Sequence, residues 1–186
     1  MIFWAIICHR LLENIAMNKT LEEIQPSATL AISAKAKQLA AEGHHVCNFA
    51  AGEPDFATPE CITNACIDAL HAGKTKYTAA KGLPDLCEAV ARKLKRANSL
   101  DYTANQVIIS SGGKQSLTMA FIALLNPGDE VIIPSPYWLS YPEMVRLAGG
   151  VPVFVKGEDS KGFKLTPEML EAAITPKTKA FVLNSP

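Results

Sequence analysis

The sequence predicts an α/β protein whose mainly parallel sheet is flanked by helices and preceded by an N-terminal helical segment. From Gln106 onward, short apolar runs alternate with helix-type segments, a pattern typical of βαβ units and parallel strands. Before that point, alanine-rich segments bounded by proline and glycine indicate helices. With 186 residues, 48% of them hydrophobic and 19% charged, the chain is long enough for one buried core.

Three helices and one short strand are expected in the first part of the chain. Ser27–Glu42 is alanine-rich and is followed by a glycine in the cap position. Pro59 opens a second helix that ends before the next glycine, and Leu83–Ala97 forms a third with cations on its last turn. The apolar run Val46–Ala50 is a strand candidate.

The second part of the chain is expected to alternate strands with helices. The strands predicted from apolar runs are Val107–Ser111, Glu130–Ile133, Val151–Val155 and Lys179–Leu183. The helices predicted between them are Lys114–Leu125, Tyr137–Ala148 and Thr166–Ile174. The last helix has a capping threonine and then proline at its first position, and Asn-Pro-Gly-Asp forms a turn before the strand at Glu130.

Composition excludes several classes of function. Lys+Arg and Asp+Glu balance at 18 each, so no basic surface for nucleic acid or for an acidic membrane is expected. The five cysteines are odd in number and lack the two-residue gap of zinc and redox motifs, which favours reduced thiols in the cytoplasm. No metal site is expected, because the four histidines have no ligand spacing to carboxylates or cysteines.

Residues 1–16 are expected to be a non-functional N-terminal extension. The run Met1–Ile7 is apolar but far shorter than a membrane span. It also lacks the basic start and the small-residue cleavage site of a secretory signal. Met17, in contrast, is followed by a polar stretch, so Met17 is predicted to be the functional start.

The strongest chemical signal is the segment Ser110–Gln115, Ser-Ser-Gly-Gly-Lys-Gln, between a predicted strand and a helix. Its glycines let backbone amides approach a ligand, and a helix start attracts anions. The glycine spacing is not that of a P-loop. A phosphate cradle and a tight turn that needs glycine only for geometry both remain open. Lys114 as a Schiff-base lysine is disfavoured, because a phosphate beside it would hold the ammonium as a cation.

Aromatic residues follow the next predicted strand, in Ser135-Pro136-Tyr137-Trp138. Aromatic side chains at the carboxyl end of a parallel strand can cover a flat ligand ring, and core packing is the alternative. Two further segments, one containing Gly52 and the other Tyr77, have on local grounds the character of an ordinary loop and a solvated surface.

Taken in order, these segments resemble the fold-type-I pyridoxal-phosphate (PLP) dependent aminotransferases, specifically the aspartate and prephenate aminotransferase group. The resemblance runs from about Leu21 to Pro186 and rests on several motifs at compatible spacings. Those motifs are Gln25–Thr29, Ala51–Phe56, Lys74–Thr78, Gly112–Gln115, Asn126–Val131 and Ser135–Glu143.

The resemblance implies a domain organisation and a cofactor. Residues 17–50 would contribute to the small domain, and residues 51–186 would form the first, incomplete part of the PLP-binding large domain. Gly113, Lys114 and Gln115 would contact the cofactor phosphate, and Trp138 would stack on the pyridine ring. Tyr77 would reach the phosphate held by a neighbouring subunit, which implies a homodimer.

The resemblance also implies a substrate class. Gly52 would lie beside the substrate α-carboxylate, and Ser27, Thr29 and Lys114 would bind the distal carboxylate of a dicarboxylic substrate. The expected reaction is transfer of an amino group between aspartate, or a similar amino acid, and a 2-oxo acid.

No catalytic residue can be assigned from this resemblance, because the family's Schiff-base lysine has no counterpart in these 186 residues. The chain is therefore expected to be a fragment that is inactive by itself. Two alternatives remain open. One is a non-catalytic phosphate-binding or interaction fragment, and the other is a different fold-type-I enzyme such as an alanine aminotransferase.

Overall fold

The computed structural model describes residues 18–184. The expected extension, residues 1–16, lies outside the described residues. The helices are α1 (Lys19–Glu23), α2 (Ala28–Ala41), α3 (Glu60–His71), α4 (Pro84–Asn98), α5 (Gly112–Leu124), α6 (Ser140–Leu147) and α7 (Pro167–Ala173). The strands are β1 (Glu130–Ser135), β2 (Val151–Lys156) and β3 (Thr178–Phe181). Short 3-10 turns occupy Ala104–Gln106 and Asp159–Lys161.

The three strands form one parallel sheet in the order β2-β1-β3. Glu130 of β1 is opposite Val151 of β2, and Ile132 of β1 is opposite Phe181 of β3. Helix α6 connects β1 to β2, and α7 connects β2 to β3, as parallel strands require. The sheet therefore confirms the predicted α/β class with mainly parallel strands.

The core of this sheet is built around β1. Val131, Ile132 and Ile133 are all fully buried, and because side chains alternate along a strand, both faces of β1 are covered. Val131 and Ile133 pack in one cluster with residues of two helices. These are Phe121 of α5, Leu125 directly after α5, and Tyr141, Met144 and Val145 of α6. Burial of each large aliphatic side chain contributes about 1.5–3 kcal/mol.

The described chain divides into two compact units. One unit is Ile32–Gln115, and the other comprises the chain on either side of it, including the sheet. Within the Ile32–Gln115 unit, Cys87 and Val107 are buried. The Cys87 sulfur lies within hydrogen-bonding distance of the carbonyls of Lys81 (3.7 Å) and Val107 (3.8 Å), and its single S–H can donate to either of them. The division into small and large domains at residue 50 stays a prediction.

Two predicted strands are wrong. Val46–Ala50 and Val107–Ser111 are not in any strand of the described chain. Val107 has extended backbone angles, but a strand also needs a ladder of hydrogen bonds to a neighbour. The segment makes a single such contact, from the Ile109 amide to the Lys81 carbonyl at 2.9 Å.

Helix boundaries differ most from the prediction at three places. Helix α5 begins at Gly112 and not at Lys114, so both glycines belong to its first turn. Helix α6 begins at Ser140 and not at Tyr137, after a turn in which the Tyr141 amide donates to the Trp138 carbonyl. Helix α1 was not expected, and it begins where the Asn18 side chain accepts a hydrogen bond from the Thr20 amide at 2.9 Å. Over residues 18–184, no helix has the length and apolar character needed to cross a membrane.

Candidate functional site

The turn that opens α5 has the geometry of an anion-binding site. Gly112 has a φ of 82°, a conformation that favours glycine, and α5 continues for 13 residues. Residues Ser111 to Gln115 are all exposed. A Cβ placed on Gly113 would meet no atom within 4 Å. The first amides of a helix have no carbonyl partner in the helix, so this open turn suits a phosphate group.

Gln115 is turned back onto the chain at this helix start. Its Oε1 accepts a hydrogen bond from the Ser111 amide, which satisfies a donor just before the helix. The carboxamide nitrogen is the end that donates hydrogen bonds. If Gln115 contacts a phosphate, it therefore does so through this nitrogen.

Trp138 lies in the loop that follows the carboxyl end of β1. Its side chain is 41% exposed, and its ring meets the Tyr141 ring edge-on, with centroids 5.3 Å apart and an interplanar angle of 87°. The neighbouring Tyr137 instead stacks on Phe154 of β2 at 5.1 Å. Tyr137 is thus committed to packing, whereas part of Trp138 is available to a ligand ring.

Tyr141 and Asn184 form a polar contact that the sequence did not predict. The buried Tyr141 hydroxyl donates to Asn184 Oδ1 at 2.7 Å, although the two residues are 43 apart in the chain. Asn184 follows β3, so its side chain lies at the carboxyl edge of the sheet. A polar residue directly after a predicted strand was the only local signal for it.

A cavity of about 550 Å³ lies at this same carboxyl edge. In open α/β sheets, ligands bind outside the carboxyl ends of the strands. The walls come from the end of β1, from α6, from the loop before α7 and from the end of β3, and they include Ile133, Pro136, Tyr141, Lys164, Val182 and Asn184.

Ser27 and Thr29 lie at the start of α2. The Ser27 hydroxyl oxygen accepts a hydrogen bond from the Leu30 amide at 3.4 Å, so Ser27 caps this helix. A hydroxyl that accepts in this way keeps its proton as a donor, which a carboxylate can accept. Thr29 is half-buried.

Gly52 and Tyr77 lie in the Ile32–Gln115 unit, which also carries the turn at Gly112–Gln115. A Cβ on Gly52 would meet nothing within 4 Å, and Tyr77 is fully exposed. Neither residue therefore has a packing role within its unit. Ser27, Thr29 and Trp138 belong to the other unit.

Residues 44–186 match the family model of the class I and II aminotransferases. The chain belongs to this family. It is 56% identical over 170 residues to the aspartate/prephenate aminotransferase of Cereibacter sphaeroides. That match covers 91% of this chain and 42% of the relative. It is also 54% identical over 168 residues to the aspartate aminotransferase of Geobacillus stearothermophilus, a match that covers 90% of this chain and 43% of that relative.

Solved structures agree with the sequence relatives. The aspartate aminotransferase from Thermus thermophilus with maleate is similar with a TM-score of 0.89 and 49% identity. That similarity covers 92% of this aminotransferase-family chain and 45% of the Thermus chain. The predicted fold class is therefore confirmed, and the chain spans less than half the length of the relatives it matches.

Each of the two units carries residues that fit one part of PLP, the cofactor expected for this family. The phosphate would meet an exposed helix start with room above Gly113 and a lysine at the next position. In the other unit, the exposed part of Trp138 suits a flat aromatic ring. Both features are of the kind that binds an aromatic phosphate ester.

Proposed function

We propose that this chain supplies the phosphate-binding and substrate-recognising part of a PLP-dependent aminotransferase that acts on aspartate or a similar dicarboxylic amino acid and a 2-oxo acid. The observation that carries the proposal is the exposed Gly112–Gln115 turn at the start of α5, in a chain of the aminotransferase family. PLP, when bound, supplies an electron sink that stabilises negative charge on the substrate carbon.

The turn holds the phosphate through backbone and side chain together. In this proposal the backbone amides of Gly113 and Lys114, at the start of the helix, donate to phosphate oxygens. The Gln115 carboxamide nitrogen adds a side-chain donor. The dipole of α5 also favours an anion at this end of the helix.

Trp138 orients the cofactor ring. Its edge-on contact with the buried Tyr141 limits the directions in which the indole can turn. A ring stacked on the indole would therefore be oriented by Trp138, and the indole would shield that face from bulk water.

Substrate choice depends on a cation and two hydroxyls. The Lys114 ammonium attracts the distal carboxylate, and the hydroxyls of Ser27 and Thr29 donate to it. Gly52 leaves room for the α-carboxylate, since nothing lies within 4 Å of its Cβ position. A substrate without a distal carboxylate would not form these contacts, which is the basis for preferring dicarboxylates.

Tyr77 serves a neighbouring subunit. A fully exposed tyrosine has no partner to stabilise it within its own unit. In a homodimer with shared sites, its hydroxyl donates to the phosphate in the neighbouring subunit.

The enzyme would act in the cytoplasm, where the exposed thiols of Cys47, Cys61 and Cys66 stay reduced.

The 186 residues by themselves do not catalyse transamination. The covalent lysine partner of PLP is not supplied by Lys114, which serves the phosphate and the distal carboxylate. The purified chain should therefore show no amino transfer from aspartate in the presence of PLP. If the purified chain did transfer the amino group, and Lys114→Met abolished this activity, Lys114 would be the covalent partner of PLP and its assignment to the phosphate and the distal carboxylate would be wrong.

The proposal is tested in a hybrid enzyme. Residues 18–184 replace the matching segment of the Cereibacter sphaeroides relative, and the hybrid is assayed with aspartate and 2-oxoglutarate. We expect it to bind PLP and to transfer the amino group. A folded hybrid that binds no PLP would contradict the proposal, and the parent relative serves as the positive control.

Substrate class is tested by Lys114→Met in the same hybrid. A charged hydrogen bond is worth about 1.5–3 kcal/mol, so kcat/KM for aspartate should fall about 10- to 150-fold. The value for alanine should stay within about twofold, since alanine has no distal carboxylate to lose a partner. Lys37→Met, at an exposed position on α2, is the matched control. An equal fall for both substrates would favour a different fold-type-I activity.

A further inference from the structure

Glu143 on α6 uses both of its carboxylate oxygens. Its Oε2 accepts a hydrogen bond from the Gln25 amide at 3.3 Å, a contact between residues 118 apart in the chain. Its Oε1 accepts from the Arg146 guanidinium at 2.6 Å, one turn further along α6. The Glu143 and Arg146 side chains are only 24% and 29% exposed. This ion pair is thus sheltered from solvent more than a surface pair.

The Arg146 contact makes Glu143 an oriented acceptor. A paired carboxylate samples fewer rotamers than a solvated one, so less entropy is lost when the Gln25 amide binds to it. Hydrogen bonds to an ionised acceptor are also stronger than neutral ones. Helix α1, which precedes Gln25, contacts α6 as well. The N-terminal segment is therefore fastened to α6 at both of these places.

A stiff link joins Gln25 to Ser27. Pro26 has its φ fixed by the ring, and the residue before a proline is restricted to extended conformations. Ser27 in turn caps α2, since its Oγ accepts from the Leu30 amide and its carbonyl from the Ala31 amide. A displacement at Gln25 therefore reaches Ser27 through a link of one conformationally restricted residue.

We propose that Glu143, held by Arg146, is a positioning residue that places the Ser27 hydroxyl for the distal carboxylate of the substrate. The inference rests on the proposed function, because it assumes that Ser27 binds this carboxylate. Glu143 touches neither substrate nor cofactor in this role. It acts through the Gln25 amide and the Pro26 link, and so it determines specificity for dicarboxylates and not the chemistry of amino transfer.

The experiment compares Glu143→Ala, Glu143→Gln and Ser27→Ala in the hybrid enzyme. Two quantities are measured, namely kcat/KM for aspartate relative to alanine and the hydrogen exchange rate of the Gln25 amide without cofactor. Glu88→Ala is the matched control, because it breaks the exposed Glu88–Arg92 pair on α4. We expect no change from it in either quantity, as exposed pairs contribute little.

Glu143→Ala should speed exchange of the Gln25 amide and lower the aspartate-to-alanine ratio about tenfold, the value of one hydrogen bond to a charged group. Glu143→Gln keeps an acceptor oxygen, so it should lose less on both measures. Combined with Ser27→Ala, Glu143→Ala should add little further loss, because both changes remove the same contact. This non-additivity separates positioning through Ser27 from general destabilisation.

The outcomes separate the inference from the proposed function. If Ser27→Ala lowers the ratio while both Glu143 variants leave it unchanged, Glu143 has no positioning role and the proposed function stands. If Ser27→Ala itself leaves the ratio unchanged, Ser27 does not bind the distal carboxylate. The inference about Glu143 and the proposed role of Ser27 in substrate binding are then both wrong. Should Glu143→Ala not fold, Glu143→Gln decides, since unchanged exchange at Gln25 and an unchanged ratio would overturn the inference.

Discussion

The two glycines at the start of α5 should respond to alanine in opposite ways. Gly112 has a φ of 82°, and a left-handed conformation costs an L-residue about 1–2 kcal/mol. Alanine also gives the unfolded chain less conformational freedom than glycine does, which offsets about 0.4–1 kcal/mol of this cost. No atom lies within 4 Å of the added Cβ, so no clash contributes. Gly112→Ala should therefore lower the free energy of unfolding by about 1 kcal/mol.

Gly113 lacks a positive φ, and its added Cβ also meets no atom within 4 Å. Alanine is a better helix former than glycine by about 0.5–1 kcal/mol, so Gly113→Ala should raise the stability of the cofactor-free protein. The same Cβ occupies the space in which the phosphate is proposed to bind. Gly113→Ala should thus combine greater stability with weaker PLP binding.

Urea unfolding of the cofactor-free hybrid measures the stability, and titration with PLP measures the affinity. The parent hybrid is the reference for both variants. A Gly113→Ala variant that binds PLP within about twofold of the parent, while its stability rises, would mean that this glycine serves only the geometry of the turn. The phosphate assignment would then be refuted at that residue.

Two further predictions concern the packing around the site. Tyr141→Phe removes the donor to Asn184 at 2.7 Å and should cost about 0.5–1.5 kcal/mol in urea unfolding, whereas an unchanged stability would mean that the contact contributes nothing. The pKa of the Glu168 carboxyl is lowered, first by a hydrogen bond from its own backbone amide and then by the Thr166 side chain. The ionised Glu168 carboxylate therefore contributes to the free energy of unfolding at pH values above the pKa of the unfolded chain. This contribution is lost as the pH falls through the lower pKa of the folded chain. Glu168→Gln should destabilise the protein near neutral pH, and this difference should close in acid; a difference independent of pH would contradict it.

The elements that the sequence predicted well are those with a local cause. Strand β1 combines a preceding turn signal with fully buried Val131, Ile132 and Ile133. The glycine pair located the start of α5 to within two residues, since the helix was predicted from Lys114 and begins at Gly112. The predicted strands Val46–Ala50 and Val107–Ser111 failed because an apolar run does not reveal whether another strand lies beside it. Strand formation depends on that neighbour.

Contacts between distant residues could not be predicted from local sequence. Tyr141 with Asn184 and Gln25 with Glu143 are each brought together by the sheet and by α6. Both pairs are ordinary polar residues in their local context, and only the tertiary fold gives them partners. The turn at Gly112–Gln115 is different, because its glycines, lysine and helix start are consecutive in the chain and can be interpreted without the fold.

Binding of the cofactor phosphate at the start of α5 can be measured by hydrogen exchange at the backbone amides of Gly113 and Lys114 in the hybrid enzyme. Exchange is measured without ligand, with PLP and with pyridoxal, which lacks the phosphate. We expect PLP to slow exchange at these amides and pyridoxal to leave it unchanged. Exchange that stays unchanged while PLP binds would contradict binding of the phosphate at the start of α5.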